Sequence, residues 1–123
     1  MKNVLIVEDH ADIRRLIRMT LEFEDCEIRE AVDVASAWSS ICHQMPDLVF
    51  LDVMMPGGAS GLELCSRIKA DPRLCHVKVF LVSARGASAD RDIGLRAGAD
   101  AYMVKPFSPM ELLALLNDTQ EVA

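Results

Sequence analysis

Residues 48–56 read Leu-Val-Phe-Leu-Asp-Val-Met-Met-Pro, an apolar run that ends in an acid. Leu48–Leu51 shows no alternation of polar and apolar residues, which is typical of a strand buried on both faces of a sheet. A weaker and more polar run, Cys26–Glu30, predicts a strand at a sheet edge. Three further buried strands are predicted at Val4–Val7, Val79–Val82 and Tyr102–Val104.

Helical patterns fill the intervals between these runs, with apolar residues at three- and four-residue spacing. The second helix has Asp33 as its N-cap, the third ends before Asp71-Pro72, and Ser88–Ala97 is weakly helical because it has few large apolar residues. Ser108-Pro109 begins the last helix with a cap residue and a proline at the first helical position. The stripes are Ile13, Leu16, Ile17 and Leu21; Val34, Trp38, Ile41 and Met45; Leu64, Cys65 and Ile68; and Leu112, Leu115 and Leu116.

Strand and helix therefore alternate five times, which predicts an α/β fold with a parallel sheet covered by helices on both faces. No linker, repeat or low-complexity segment interrupts residues 1–123, so we expect a single domain. The first strand begins almost at Met1, which predicts a domain that is N-terminal or stands alone.

The composition excludes several classes of protein. Nineteen acidic and thirteen basic residues give a net charge of −6, which is unfavourable for direct nucleic-acid binding and for anionic membranes. No apolar run approaches the roughly 20 residues of a membrane span, and none at the N-terminus resembles a signal peptide. The four cysteines form no metal or redox motif, so we expect buried apolar residues in a reducing cytoplasm: Cys26, Cys42, Cys65 and Cys75.

Polar residues follow four of the predicted strands, where each strand ends. In open parallel sheets these ends meet at one edge, and ligands bind there. Three carboxylates about 4 Å apart would repel by about 4 kcal/mol per pair at an effective dielectric constant of about 20. One lysine offsets only part of this charge, so the cluster predicts a hard divalent cation such as Mg²⁺. Any one of these residues alone could be a loop residue or a helix cap. The set comprises Glu8, Asp9, Asp52, Ser83 and Lys105.

This set resembles the receiver domain of bacterial two-component response regulators, of the chemotaxis-regulator type. Glu8-Asp9 is similar to the acidic pair of that family, Leu51–Pro56 to its phospho-acceptor motif and Lys105-Pro106-Phe107 to its lysine-proline motif. The resemblance runs from Lys2 to about Leu116. It implies a flavodoxin-like doubly wound fold with strand order 2-1-3-4-5.

The resemblance also implies a role for each site residue. Asp52 would accept a phosphoryl group from a histidine of a sensor kinase or a histidine phosphotransfer protein. Asp9 and Asp52 would bind Mg²⁺ together with the Met54 carbonyl, and Glu8 would bind it through water. Lys105 and the Ser83 hydroxyl would hold phosphoryl oxygens, with a cis bond before Pro106. Such a domain catalyses only its own phosphorylation and autodephosphorylation and is not otherwise an enzyme.

The resemblance also implies that Ser83 moves towards the phosphoryl group. Tyr102, the aromatic residue at the family's switch position, is then expected to turn inward. The change would reach a surface of helix 4, strand 5 and helix 5, which controls a downstream protein, a fused output domain or a phosphorylation-dependent dimer. Met54 and Arg85 stand at positions that modulate phosphoryl lifetime in the family, and here they predict a slow switch. Gly98–Tyr102 lacks the second acid common in DNA-binding members, which slightly disfavours that subgroup.

Residues beside the predicted site have simpler interpretations. His10 is expected at the rim of the site, with no part in its chemistry. The arginines of the first helix are expected on a solvated face, although that helix is where the family meets its phosphodonor. These arginines are Arg14, Arg15 and Arg18.

Three alternatives remain on sequence grounds. A degenerate receiver would bind partners without phosphate, but such members usually lose the acidic pair or the lysine. An aspartate-nucleophile phosphohydrolase would have an acid two residues after Asp52, where this chain has Met54. A flavin carrier would need a phosphate-binding loop in place of Glu8-Asp9.

Overall fold

The computed structural model describes residues 2–22, 24–54, 60–84 and 88–121. Five strands alternate with five helices, as predicted. Their bounds are β1 Lys2–Val7, α1 Ala11–Leu21, β2 Cys26–Ala31, α2 Val34–His43, β3 Leu48–Asp52, α3 Gly61–Ala70, β4 Lys78–Ser83, α4 Ser88–Arg96, β5 Ala101–Val104 and α5 Pro109–Glu121.

All strand pairs are parallel, and their order across the sheet is β2-β1-β3-β4-β5, which confirms the predicted topology. β3 lies at the centre and all five of its residues are buried. β2 lies at an edge and is only partly buried, as its polar sequence indicated.

Successive residues of the buried strands point to opposite faces, and each face has its own core. Leu5 packs with α2 and α3 residues such as Ile41 and Leu64. Its neighbour Ile6 packs on the other face with residues of α1 and α5, including Leu112. Helices on both faces explain why these strands are apolar throughout instead of alternating.

Side-chain caps fix three helix starts, two of them at the residues that the sequence predicted. Asp33 accepts a hydrogen bond from the Ser36 amide (2.7 Å), and Ser108 accepts one from the Glu111 amide (3.2 Å). At the third, Ser60 accepts one from the Leu62 amide (3.0 Å).

The predicted extension of the second helical stripe to Met45 is wrong. α2 ends at His43, and Met45 is 44% exposed. Pro46 explains the difference, because the residue before a proline is driven out of helical backbone angles. The chain therefore leaves the helix two residues early and extends towards β3.

The prediction of buried cysteines is correct for Cys65 only. All four thiols are free, but Cys42 and Cys75 are exposed and Cys26 is half-buried. Burial raises the pKa of Cys65 to about 11, which keeps its thiol protonated and unreactive at neutral pH. Spacing alone does not separate the exposed cysteines from the buried one.

No helix within the described ranges has the length and apolar character needed to cross a bilayer.

Candidate functional site

The sheet brings the predicted polar residues to one edge. Glu8 follows β1, Asp52 is the last residue of β3 and Ser83 is the last residue of β4. The strand register pairs Val7 with Leu51, so the acidic pair begins beside the end of the central strand. Lys105 follows β5, and its amide donates a hydrogen bond to the Ser83 carbonyl (2.8 Å).

Lys105 is the cation at the centre of this edge. Its Nζ lies 2.8 Å from Glu8 Oε1 and 3.3 Å from Asp52 Oδ2. Glu8 is 1% exposed and Asp52 is 2% exposed, so both ion pairs are shielded from water. The peptide bond between Lys105 and Pro106 is cis, the isomer that the resemblance implied.

The two buried carboxylates titrate in opposite directions. Burial, together with the neighbouring Glu8 carboxylate, raises the pKa of Asp52 to about 7. Burial also acts to raise the pKa of Glu8, but contacts with Lys105 and Asp52 outweigh it and lower this pKa to about 2. Without a metal ion, Glu8 is therefore the ionised partner of Lys105, and Asp52 is the acid that readily takes up a proton.

The edge has the donor set of a divalent-metal site. One ligand atom from each of four residues (Glu8, Asp9, His10 and Asp52) lies within 4.8 Å of the others. Glu8 Oε1 and Asp52 Oδ2 are buried, and apart from their ion pairs with Lys105 neither has a hydrogen-bond donor in the described ranges. Buried carboxylate oxygens left in this state are costly unless a cation compensates them, and hard divalent ions prefer such oxygens. The residues present therefore fit a metal ion.

The segment after Asp52 orients its carboxylate. The Met54 amide donates a hydrogen bond to Asp52 Oδ1 (3.1 Å), and Met54 pairs with Ser60 across an isolated bridge. The Met54 side chain is 57% exposed. Arg85, the other residue predicted to affect the lifetime of the phosphoryl group, lies outside the described residues, as do residues 55–59.

Gly61 was missed as a site residue by the sequence analysis. A Cβ atom there would overlap the Asp52 carbonyl oxygen, and the Gly61 amide donates a hydrogen bond to the Val53 carbonyl (3.0 Å). The first residue of α3 therefore packs directly against the backbone of Asp52. The sequence Gly57-Gly58-Ala59-Ser60-Gly61 indicates only a loop, because the close approach depends on tertiary structure.

His10 contacts the acidic pair. Its Nδ1 lies 3.2 Å from Glu8 Oε2 and 3.3 Å from Asp9 Oδ1, while the rest of the side chain is exposed. The expected rim location is therefore correct, but the ring also reaches the carboxylates. A histidine next to two acids could have signalled this.

The prediction that the arginines of α1 form a solvated face is wrong for Arg14, whose side chain is 21% exposed, whereas the Arg18 side chain is 40% exposed. Arg14 Nη1 donates to the Glu8 carbonyl (3.0 Å), and its Nε pairs with Glu30 Oε1 (2.8 Å). Arg18 Nη1 pairs with Glu30 Oε2 (2.6 Å). An acid on the neighbouring edge strand, distant in sequence, explains the difference. Arg15 is exposed as expected.

Tyr102 is buried on the α4 side of the sheet. A Cβ at Gly94 would lie 2.8 Å from Tyr102 Cδ2, so the ring packs directly against the backbone of α4. An open depression of about 400 Å³, lined by Arg91, Asp92, Leu95 and Tyr102, lies beside it.

Residues 4–117 match the family model described as the response regulator receiver domain. The chain is 42% identical over 116 residues to the phosphate regulon transcriptional regulatory protein PhoB of Pseudomonas aeruginosa, covering 94% of this chain and 50% of that protein. It is 42% identical over 113 residues to the transcriptional regulatory protein ResD of Bacillus subtilis, covering 89% and 44%. The chain thus spans about half the length of these relatives.

Two solved structures extend the likeness to the whole fold. The chemotaxis response regulator CheY4 of Vibrio cholerae superposes with a TM-score of 0.89 at 26% identity, covering 96% of this chain and 98% of that one. The BeF3-activated DrrB receiver domain has a TM-score of 0.88 at 27% identity, covering 98% of both chains. DrrB is described as a Thermotoga maritima OmpR/PhoB homolog.

Proposed function

Because this chain belongs to the response regulator receiver domain family, whose members are phosphorylation-activated switches of two-component systems, we propose that Asp52 is its phospho-acceptor. One observation carries the assignment. Asp52 ends the central strand as a buried acid, and its carboxylate lies 3.3 Å from Lys105 and close to the acidic pair. Its burial and its lysine partner distinguish it from the exposed acids of the chain.

The transfer needs positioning and charge neutralisation more than elaborate covalent chemistry. An Asp52 oxygen attacks phosphorus, the bond to the donor histidine nitrogen breaks, and the imidazole leaves with its electron pair. Attack requires ionised Asp52, so a cation that lowers its raised pKa also activates it. Mg²⁺ held by Asp9, Asp52 and the Met54 carbonyl, and by Glu8 through water, would supply that charge.

The chain's own residues complete the proposed mechanism. The Met54 amide fixes one oxygen of Asp52, which leaves the other to react. Lys105 lies 3.3 Å from that second oxygen and would bind an oxygen of the transferred group. The Ser83 hydroxyl, at the end of the adjacent strand, would bind another. The only catalysis proposed is the domain's own phosphorylation and dephosphorylation.

The partners follow from this switch. The phosphodonor is a sensor histidine kinase or a histidine phosphotransfer protein that docks near α1. Phosphorylation alters the surface of α4, β5 and α5, which controls a downstream protein or an attached output domain, with or without dimerisation. The net charge of −6 supports a domain that does not itself bind nucleic acid. Free thiols at all four cysteines suit a reducing cytoplasm.

Phosphorylation of Asp52 is tested with acetyl phosphate and intact-protein mass measurement. The wild type should gain one phosphoryl group in Mg²⁺, and none when Mg²⁺ is chelated, because the buried acids then lack their cation. Asp52→Asn should gain none, since an amide is not a nucleophile here. Asp25→Asn, which alters an exposed acid outside the site, should behave as wild type.

Labelling of Asp52→Asn at the wild-type rate would overturn the assignment. Absence of labelling in the wild type, with partner binding retained, would favour the degenerate receiver.

The lifetime of the phosphoryl group tests the roles of Met54 and Arg85. Methionine neither donates nor strongly accepts hydrogen bonds, and arginine has only donors, so neither orients an attacking water as an acceptor would. We expect decay over a period on the order of tens of minutes or longer. The Met54→Asn, Arg85→Glu double variant should decay at least about tenfold faster, which corresponds to about 1.4 kcal/mol of barrier.

This decay is followed by the same mass measurement after acetyl phosphate is removed. A wild-type lifetime of seconds, or a double variant that decays no faster, would show that these two side chains do not control access of water.

A further inference from the structure

The imidazole of His10 is the one nitrogen ligand in the cluster of four ligand residues at the sheet edge. We propose that His10 ligates divalent first-row transition-metal ions at this site, and that it thereby makes the site prefer them over Mg²⁺. The inference rests on the proposed function in one respect, since it uses the same metal site. It adds His10 as a ligand and first-row transition metals as the class of ion bound.

The geometry places His10 Nδ1 among the carboxylate oxygens. This atom is 3.2 Å from Glu8 Oε2 and 3.3 Å from Asp9 Oδ1. A ring nitrogen of His10 lies within 4.8 Å of one ligand atom of each of the other three residues, Asp52 included. One ion among these atoms can therefore bind oxygen and nitrogen together after small side-chain movements.

A second observation shows that the site lacks positive charge. Glu8 Oε1 and Asp52 Oδ2 are buried acceptors that, apart from their ion pairs with Lys105, have no hydrogen-bond donor in the described ranges. Lys105 is the cation beside both of them, whereas the cluster contains three carboxylates. A divalent ion compensates this excess, and a neutral imidazole ligand completes its coordination without adding negative charge.

The kind of ligand determines the kind of ion. Carboxylate, carbonyl and water ligands suit Mg²⁺, whereas imidazole favours first-row transition metals, with affinity increasing from Mn²⁺ through Co²⁺ to Ni²⁺ and Cu²⁺. The His10 side chain is 63% exposed, which leaves the ring accessible to an entering ion. His10 thus favours transition metals at a site whose other ligands suit Mg²⁺.

A simpler role for His10 predicts a different result. If Nδ1–H only donates a hydrogen bond to Glu8 or Asp9, His10 orients the carboxylates for any ion. Its removal would then weaken Mg²⁺ and Co²⁺ binding by the same factor. If His10 ligates, only the Co²⁺ affinity depends on it.

The experiment compares Mg²⁺ and Co²⁺ affinities by calorimetry for the wild type, His10→Ala and His43→Ala. His43 is an exposed histidine outside the cluster and is the matched control. In His10→Ala we expect Co²⁺ affinity to fall at least about tenfold while Mg²⁺ affinity stays within about twofold. His43→Ala should retain both. A variant with an oxygen ligand, His10→Asn, should retain Mg²⁺ binding without restoring the Co²⁺ preference.

Two spectroscopic measurements locate the ion. Paramagnetic Co²⁺ should broaden the ring protons of His10 before those of His43 and His76, and excess Mg²⁺ should reverse the broadening. Thiolate ligation at the exposed cysteines would show as a near-ultraviolet charge-transfer band, which we expect to be absent at one equivalent.

Equal losses for both ions in His10→Ala, or an unchanged Co²⁺ preference, would overturn the inference. Failure of the wild type to bind Mg²⁺ would count against the proposed function. Co²⁺ binding through His10 would stand independently of that result.

Discussion

At the residue scale, the decisive feature is a pair of buried acids that share one lysine. Lys105 is closer to Glu8 than to Asp52, and the two acids accordingly have lowered and raised pKa values. Proton binding at Asp52 therefore relieves repulsion that a metal ion relieves in the loaded protein.

The raised pKa of Asp52 gives metal-free stability a definite pH dependence. An aspartate has a pKa near 3.9 when unfolded and here about 7 when folded. The folded state binds this proton more tightly, so its contribution is fully present below the unfolded pKa and is lost as pH rises through about 7. The lowered pKa of Glu8 acts oppositely, and its contribution is lost only as pH falls below about 4.

Asp52→Asn should therefore raise the melting temperature in chelator, and by more at about pH 8 than at about pH 5.5, because the amide carries no charge at either pH. The additional gain is on the order of 1–2 kcal/mol, or several degrees. Saturating Mg²⁺ should abolish the gain. Thermal unfolding with Asp25→Asn as control measures it, and a gain independent of pH would show that Asp52 is already ionised at low pH.

At the element scale, α4 is held differently from the other helices. Gly94 allows the Tyr102 ring to approach its backbone, while the neighbouring Ile93 and Leu95 are about half exposed. Few of its large side chains are buried, so rearrangement of this helix requires little disruption of the core. Moving a two-state equilibrium from 1:99 to 99:1 still requires about 5.5 kcal/mol of differential binding.

We expect the phosphoryl mimic beryllium fluoride, with Mg²⁺, to change amide exchange in α4, β5 and α5 more than in α2. The reason is that Ser83 and Tyr102 lie on adjacent paired strands, β4 and β5, next to α4. Mass spectrometry of exchange with and without the mimic measures this. Asp52→Asn is the control and should show no change, whereas protection confined to α2 would contradict the proposed output surface.

The elements that could be predicted from sequence are those with local signals. Uninterrupted apolar runs gave the strands, and Asp33 and Ser108 gave helix starts, because burial on both faces and capping depend on neighbouring residues. Pro46 is a local signal for the end of α2. The apolar spacing nevertheless extended the predicted helix to Met45, beyond its actual end at His43. The contact of Gly61 with Asp52 had no such local signal, since it joins residues distant in sequence that only the tertiary structure brings together.

At the scale of the whole molecule, the parallel topology explains why the site residues could be grouped before any distance was known. Every strand runs in the same direction, so residues that follow strands share one edge. The topology does not determine which of these site side chains contact one another. That Lys105 contacts Glu8 more closely than Asp52, and that His10 reaches both acids of its segment, depends on side-chain geometry alone.

At the other end of the strands, where β4 and β5 begin, a different set of charged residues joins the secondary-structure elements. Lys69 Nζ lies 2.8 Å from Asp100 Oδ2 and donates to the Val77 carbonyl (2.7 Å). Asp100 in turn accepts from the Val79 amide (2.8 Å). These contacts join α3, the start of β4 and the segment before β5. They stabilise the end of the sheet away from the site, whereas at the site one lysine lies beside a cluster with three carboxylates.

The fork in which Glu30 pairs with Arg14 and Arg18 constrains how this domain can be redesigned. A change of the proposed phosphodonor would involve exchange of outward residues on α1. Arg14 also donates a hydrogen bond to the Glu8 carbonyl, so replacing Arg14 alone would loosen the acidic pair as well as alter that surface. A chimaeric receiver domain should therefore take all three residues of this group from the same parent protein: Arg14, Arg18 and Glu30.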